Sequence, residues 1–184
     1  MSEGLVLPPV ARGSLRPLPE RLERLDEAIP QILAAVDGER DPIALQATLA
    51  ALLWDALPQA SWVGFYRRVG ATSLAVGPYQ GPMGCLRIEF SRGVCGACAR
   101  TKTSQRVPDV RSFEGHIACD DATLSELVLP VVDGRGAVQA VLDLDSRHLD
   151  AFSASEQERL ERLVARALGS AVAWDQKWPT AETP

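Results

Sequence analysis

Four cysteines, Cys85, Cys95, Cys98 and Cys119, fall within 35 consecutive residues, and the chain has no others. Cysteines that only fill a core would be spread more widely, so the clustering favours chemistry, metal or redox. Cys119 reads as a nucleophilic thiolate or as a loop cysteine without a role. Cys85 and Cys95 flank a short strand and its turn, where packing is the plainer reading. Cys95-Gly96-Ala97-Cys98 has the spacing of a redox or half-zinc motif, but the second pair of a zinc ribbon is absent. Cys95, Cys98, Cys119 and His116 could complete a tetrahedral metal set. His116 stands three residues before Cys119 and could tune its pKa or only order its loop. His148 reads as a surface residue in a turn.

Carboxylates form the second constellation. In residues 137–145 strand alternation sends Val138, Ala140, Leu142 and Leu144 to one face. Gln139, Val141, Asp143 and Asp145 go to the other. Glu126 opens the strand that should pair with this one, so a third carboxylate can reach the same face. Three crowded carboxylates repel. They are tolerated where a cation binds, or where one keeps its proton and serves as an acid; a solvated face is the bland alternative. Trp62 and Tyr66, four apart in a strand, share a face. They read as core, or as a pocket wall for a small apolar or cationic group.

The elements that must position these residues follow from periodicity. Residues 1–18 are rich in Pro and Gly and read as an extended arm, laid over the domain or a partner. Leu22, Leu25, Ile29, Leu33 and Val36 recur at helical spacing, with Pro30 expected to kink or restart that helix. Asp41-Pro42 is a helix start with Asp41 as N-cap. Strands are expected at 61–67, 73–79, 86–90, 103–107, 126–132 and 137–145, with a turn and short helix over 92–100. Residues 109–124 form a long polar loop carrying Cys119. Ser153 and Glu156 make a capping box for the last helix, and residues 174–184 read as a frayed tail. The order predicts an α+β domain over 19–173: a central antiparallel sheet with the N- and C-terminal helices packed on one face. The other face is left to build a pocket.

Composition closes off whole classes of function. The chain has 184 residues, 46% of them hydrophobic and 23% charged, which suits one globular domain. A net charge of -5 and a pI of about 5.1 argue against a nucleic-acid surface. No run of about 18 apolar residues exists to span a membrane. No secretory signal is read in the first residues, so a cytoplasmic location is expected.

Trp62-Val63-Gly64-Phe65-Tyr66, Gly77-Pro78-Tyr79-Gln80-Gly81 and Arg92-Gly93-Val94-Cys95-Gly96 are linked by a resemblance. So are Val107-Pro108-Asp109-Val110, Gly115-His116-Ile117-Ala118-Cys119-Asp120, Ser125-Glu126 and Val141-Leu142-Asp143-Leu144-Asp145-Ser146. Together, in this order and spacing, they resemble the free methionine-(R)-sulfoxide reductases, which are single GAF domains. The resemblance covers about residues 61–157. It implies Cys119 as the catalytic cysteine, with Cys85 and Cys95 as the cysteines that resolve and recycle it. It also implies Glu126, Asp143 and Asp145 as acidic pocket residues, and Trp62 and Tyr66 as the aromatic wall. Cys98 departs from the family pattern.

The implied activity is reduction of free L-methionine (R)-S-oxide through a cysteine sulfenic acid and an intramolecular disulfide, recycled by thioredoxin. One low-pKa catalytic thiol and one neutral catalytic acid, Glu126 or Asp143, suffice, with no metal or organic cofactor. A non-catalytic GAF sensor of a small molecule or of redox state is the alternative. It leaves three family-spaced cysteines without a purpose. A zinc-stabilised interaction domain would have no use for the three carboxylates. The apolar first helices and the arm are compatible with a homodimer.

Overall fold

Local signals set the element boundaries. Asp41 accepts hydrogen bonds from the backbone N–H groups of Ile43 and Ala44, both at 2.8 Å, and so starts helix α2 (Pro42–Ala56). Before it, α1 spans Leu18–Ala35. It runs through Pro30 as one helix rather than restarting there; Ala28 and Ile32, both fully buried, hold the turns on either side. The expected capping box is present: Ser153 Oγ accepts from the Glu156 N–H at 3.2 Å, and Glu156 accepts from the Ser153 N–H at 2.8 Å. It opens the last helix, α4 (Ala154–Ala167). Glu156 is fully buried and also accepts from Arg21 at 3.0 Å and Gln59 at 3.1 Å, so the cap fastens α4 to α1.

The computed structural model describes residues 4–116, 119–169 and 172–174. Between α2 and α4 lie β1 (Ala60–Arg68), β2 (Ser73–Gln80), β3 (Arg87–Glu89), helix α3 (Gly93–Thr101), β4 (Gln105–Val107), β5 (Ser125–Val132) and β6 (Val138–Ser146). A single 3₁₀ turn, Val110–Ser112, interrupts the long loop. The six strands form one antiparallel sheet in the order β3-β2-β1-β6-β5-β4. No helix among the described residues is long and apolar enough to cross a membrane.

Each sheet face carries its own core. On one, Leu25, Ile32, Leu45, Leu49, Leu53, Leu160 and Leu163 of α1, α2 and α4 pack on Val63, Phe65, Leu127, Leu129, Leu142 and Leu144. Each such buried side chain contributes about 1.5–3 kcal/mol. On the other face α3 brings Val94, Cys95 and Cys98 against Trp62, Tyr66, Val128 and Val141. Val138 belongs to this second face, not to the face of Ala140, Leu142 and Leu144 as strict alternation predicts. A register shift at Val131/Val132 explains it: Val131 pairs with Ala140 but Val132 with Val138, and such a bulge inverts the parity of residues beyond it.

The arm lies on the domain itself. Arg12 donates to the carbonyls of Leu57 at 2.9 Å and Trp54 at 2.5 Å and stacks 3.8 Å from the Trp54 ring centre. His148, expected as a surface residue in a turn, has Nε2 2.7 Å from the Gly13 carbonyl. At the other end Val172 and Trp174 pack partly buried on the helical-face core; residues 175–184 lie outside the described residues.

Candidate active site

Strand register assembles the site. β6 lies between β1 and β5, so one cross-strand row reads Trp62, Asp145, Glu126. The next row with the same facing reads Gly64, Asp143, Val128, and the third Tyr66, Val141, Pro130. Directly opposed residues have Cβ atoms about 4.5–5.5 Å apart. Aromatic rings on β1 and carboxylates on β6 and β5 therefore face one cleft. Its remaining walls are Met83, Gly84 and Ile88, the first turn of α3, and His116, Cys119, Asp120 and Thr123 of the long loop.

Trp62 stacks on two tyrosines. Its ring lies 5.5 Å from that of Tyr66 and 5.2 Å from that of Tyr79, at interplanar angles of 19° and 15°. Gly64 makes this possible: a Cβ there would stand 2.3 Å from Tyr79 Cβ and 2.6 Å from the Trp62 ring. Trp62 Nε1 donates to the Pro82 carbonyl at 3.1 Å, which fixes the ring's edge. The aromatic wall is thus a rigid apolar plate.

The carboxylates sit in poor solvation. Glu126 and Asp143 are 6% and 5% exposed, and Asp145 is half-buried. Burial, then the charge of Asp143, pushes Glu126 well above the usual carboxylate range. Burial does the same to Asp145, helped by Asp143 and Asp120. Asp143 is raised by burial to about 6, with hydrogen bonds from Cys95 and Glu126 pulling the other way. Its Oδ1 has no hydrogen-bond partner within the protein. Burial thus biases all three carboxylates toward their protonated forms, and in Asp143 hydrogen bonds offset part of that bias.

The cysteines separate into two pairs. Cys85 and Cys119, both half-buried at the cleft mouth, are joined in a disulfide with Cα atoms 5.3 Å apart. Cys85, rather than Cys95, is the residue bonded to Cys119. Cys95 and Cys98 are free thiols buried in α3. Cys95 Sγ donates to Glu126 Oε1 at 3.9 Å, and Cys98 Sγ to the Val128 carbonyl at 3.7 Å. Burial raises both thiols, so neither is a thiolate at neutral pH.

The tetrahedral set weighed from sequence is not assembled, because Cys119 is committed to Cys85. Among the described residues, the group that could hold a metal is Cys95, Glu126 and Asp143, whose ligand atoms lie within 4.8 Å of one another. His116 lines the cleft, but burial lowers its pKa and its Nδ1 has no partner, so it is a neutral ring rather than a charge beside Cys119. Its loop is pinned to the rest of the domain. The Gly93 N–H donates to the Gly115 carbonyl at 3.0 Å, and Arg147 pairs with Asp120 at 3.0 Å. Ile117 and Ala118 of the loop motif lie outside the described residues.

Comparison with known proteins settles the relationship. Residues 40–172 match the model of the GAF domain family. The free methionine-R-sulfoxide reductase of Escherichia coli is 41% identical over 133 residues, covering 72% of this chain and 79% of that protein. The Saccharomyces cerevisiae protein of the same name is 35% identical over 149 residues, covering 76% and 83%. The chain belongs to the free methionine-(R)-sulfoxide reductase family of GAF domains. The family likeness extends to three dimensions. The free methionine-R-sulfoxide reductase of Neisseria meningitidis, in complex with its substrate, superposes with a TM-score of 0.76 at 34% identity, covering 86% of this chain and 92% of that one.

Seven of the residues that the family resemblance implied, Trp62, Tyr66, Cys95, Cys119, Glu126, Asp143 and Asp145, line this one cleft, and Cys85 is bonded at its mouth. Sequence reasoning gave no role to Tyr79, which backs Trp62. The residue stands in the quoted Gly77–Gly81 motif, but only its register opposite Gly64 shows why it matters. Gly93 and Val94 of α3 were likewise not singled out as walls.

Proposed function

We propose that this protein reduces free L-methionine (R)-S-oxide to L-methionine with electrons from its own thiols. The observation that carries the reading is the Cys85–Cys119 disulfide at the mouth of a cleft walled by Trp62 and floored by buried carboxylates. In the reduced enzyme the Cys119 thiolate attacks the sulfoxide sulfur while Glu126 gives its proton to the oxygen. Methionine leaves, and the oxygen stays on Cys119 as a sulfenic acid. The Cys85 thiol then attacks the Cys119 sulfur, forming the disulfide and releasing water. A thioredoxin-class dithiol reduces that disulfide by exchange. The disulfide-bonded structure corresponds to the spent enzyme.

Recognition follows from the charges. Ionised Asp143, with Asp145 beside it, pairs with the substrate ammonium group. The substrate carboxylate meets the first turn of α3, whose N-cap Arg92 provides no side-chain cap for the N–H groups there. The methyl group on sulfur lies on the Trp62 plate. A peptide-bound residue would place a neutral amide against Asp143, at a cost of a few kcal/mol. The preference for the R epimer rests on the family resemblance. In this reading residues 19–173 are the catalytic GAF domain, residues 1–18 its arm and 174–184 its tail. The enzyme works in the cytoplasm, where reducing dithiols are supplied, and its apolar first helices suit a homodimer.

The test is methionine release from free L-methionine-(R)-sulfoxide with dithiothreitol, with the S epimer and an N-acetylated sulfoxide in parallel. Turnover of the free R form alone is expected. Turnover of the acetylated form would remove the role given to Asp143. No methionine from any of the three, in folded reduced protein, would overturn the enzyme.

A further inference from the structure

Large apolar side chains are left exposed at few places among the described residues, and two of them flank Cys85. Met83 is 72% exposed and Leu86 is 62% exposed. The Leu86 carbonyl accepts from the Val76 N–H at 3.2 Å, which extends the β2–β3 pairing by one residue. Strand alternation then puts Leu86 on the same side of β3 as Ile88, a wall of the cleft. Met83 itself lines the cleft mouth. The half-buried disulfide thus has an apolar border on its Cys85 side. On the Cys119 side, Asp120 is next in the chain and pairs with Arg147 at 3.0 Å.

We propose that Leu86 and Met83 are the docking surface for a protein dithiol, and that its thiolate attacks Cys85 rather than Cys119. The chemistry names the occupant. A disulfide that must be reopened in each cycle has to be touched by a thiol donor, so whatever the donor presents around its nucleophile meets this border. An apolar border selects a donor whose reactive thiol lies on an apolar surface. In the exchange the donor thiolate bonds to Cys85 Sγ and the Cys85–Cys119 bond breaks. Cys119 leaves as the thiolate. The donor's second thiol then attacks the donor sulfur of the mixed disulfide and releases Cys85 as a thiol. Two electrons pass to this protein, and the donor ends as its own disulfide. Attack at Cys85 returns Cys119 directly in its reactive form. The inference builds on the proposed cycle, but its test needs no sulfoxide.

The test starts from the oxidised full-length protein and follows reduction of the disulfide by a reduced thioredoxin and, separately, by dithiothreitol. Leu86→Glu should slow reduction by thioredoxin about tenfold or more, the loss expected for one central interface contact. Reduction by dithiothreitol should stay within about twofold of wild type, since a small dithiol has no surface to dock. Leu86→Ser repeats the test without added charge. A thioredoxin with its second active-site cysteine replaced by serine should be trapped as a mixed disulfide on Cys85, located by peptide mass spectrometry. Equal slowing by both reductants, no slowing in either variant, or trapping on Cys119 would overturn the proposal. Failure of the sulfoxide assay would leave these readouts intact and separately interpretable.

Discussion

The two faces of β1, β6 and β5 are made from alternating residues of the same strands, yet they follow opposite rules. Toward α1, α2 and α4 stand Phe65, Leu142, Leu144, Leu127 and Leu129, all fully buried and all apolar. Toward the cleft stand Trp62, Asp143, Asp145 and Glu126, where burial falls on groups that prefer water. The first face stores folding free energy. The second gives some of it up to hold carboxylates out of water, one oxygen of Asp143 without a partner. The difference teaches where mutations should act: one face moves stability, the other moves chemistry.

The sharpest test is Cys119→Ser. It should drop methionine formation to background with circular dichroism unchanged, because the hydroxyl cannot replace the thiol as nucleophile. Turnover near the wild-type rate would move the nucleophile elsewhere. Glu126→Gln comes next. Removing the acid should lower kcat/KM by about 10²–10⁴-fold, read from initial rates of the free R sulfoxide, while the protein stays folded.

Leu142→Ala should do the reverse. Emptying this position should cost about 2–5 kcal/mol in urea unfolding, with activity per folded molecule within about twofold of wild type. A large loss of activity at full stability would break the division between faces.

Asp143 gives a prediction in pH. Its folded pKa is raised from 3.8 to about 6. Between those values the folded state holds a proton that the unfolded chain has lost. This group's contribution is therefore complete below about pH 4 and disappears as pH rises through about 6. At pH 7 Asp143→Asn should be more stable than wild type, on the order of 2–3 kcal/mol, and the gap should close toward pH 4. Asp26, Asp109 and Asp120, lowered by hydrogen bonds and arginine partners, titrate in the opposite sense; they cancel in the difference. Unfolding curves of both proteins at the two pH values decide it. The smallest effect belongs to Cys98→Ala, buried on the cleft side of α3 but engaged only with the Val128 carbonyl. Thermal melts should shift by about 1 kcal/mol or less, with activity unaltered.

Much of this division can be read in the amino acids because period-two alternation reports facing directly. Asp143 and Asp145 on one side of β6, against Leu142 and Leu144 on the other, needed only that rule. Asp41 and Ser153 declared their helices through side-chain chemistry that acts within four residues. What alternation could not carry was non-local. The shift at Val131/Val132 that turns Val138 to the cleft comes from pairing between strands. So does the stacking of Tyr79 on Trp62 across Gly64. The choice of Cys85 over Cys95 as partner of Cys119 depends on a loop closing in space, which spacing along the chain does not encode. The first helix continues through Pro30 instead of restarting there, with Ala28 and Ile32 buried on either side.

The Cys85–Cys119 bond also ties a ring across a separation of 34 residues, with β3 and α3 inside it. By chain entropy, closing a ring of that size removes about 4 kcal/mol worth of freedom from the unfolded chain. In the proposed cycle the enzyme is consequently hardiest when it is idle. A molecule waiting for reductant should resist heat and proteolysis better than one ready to work, so that a shortage of electrons would preserve the pool instead of eroding it.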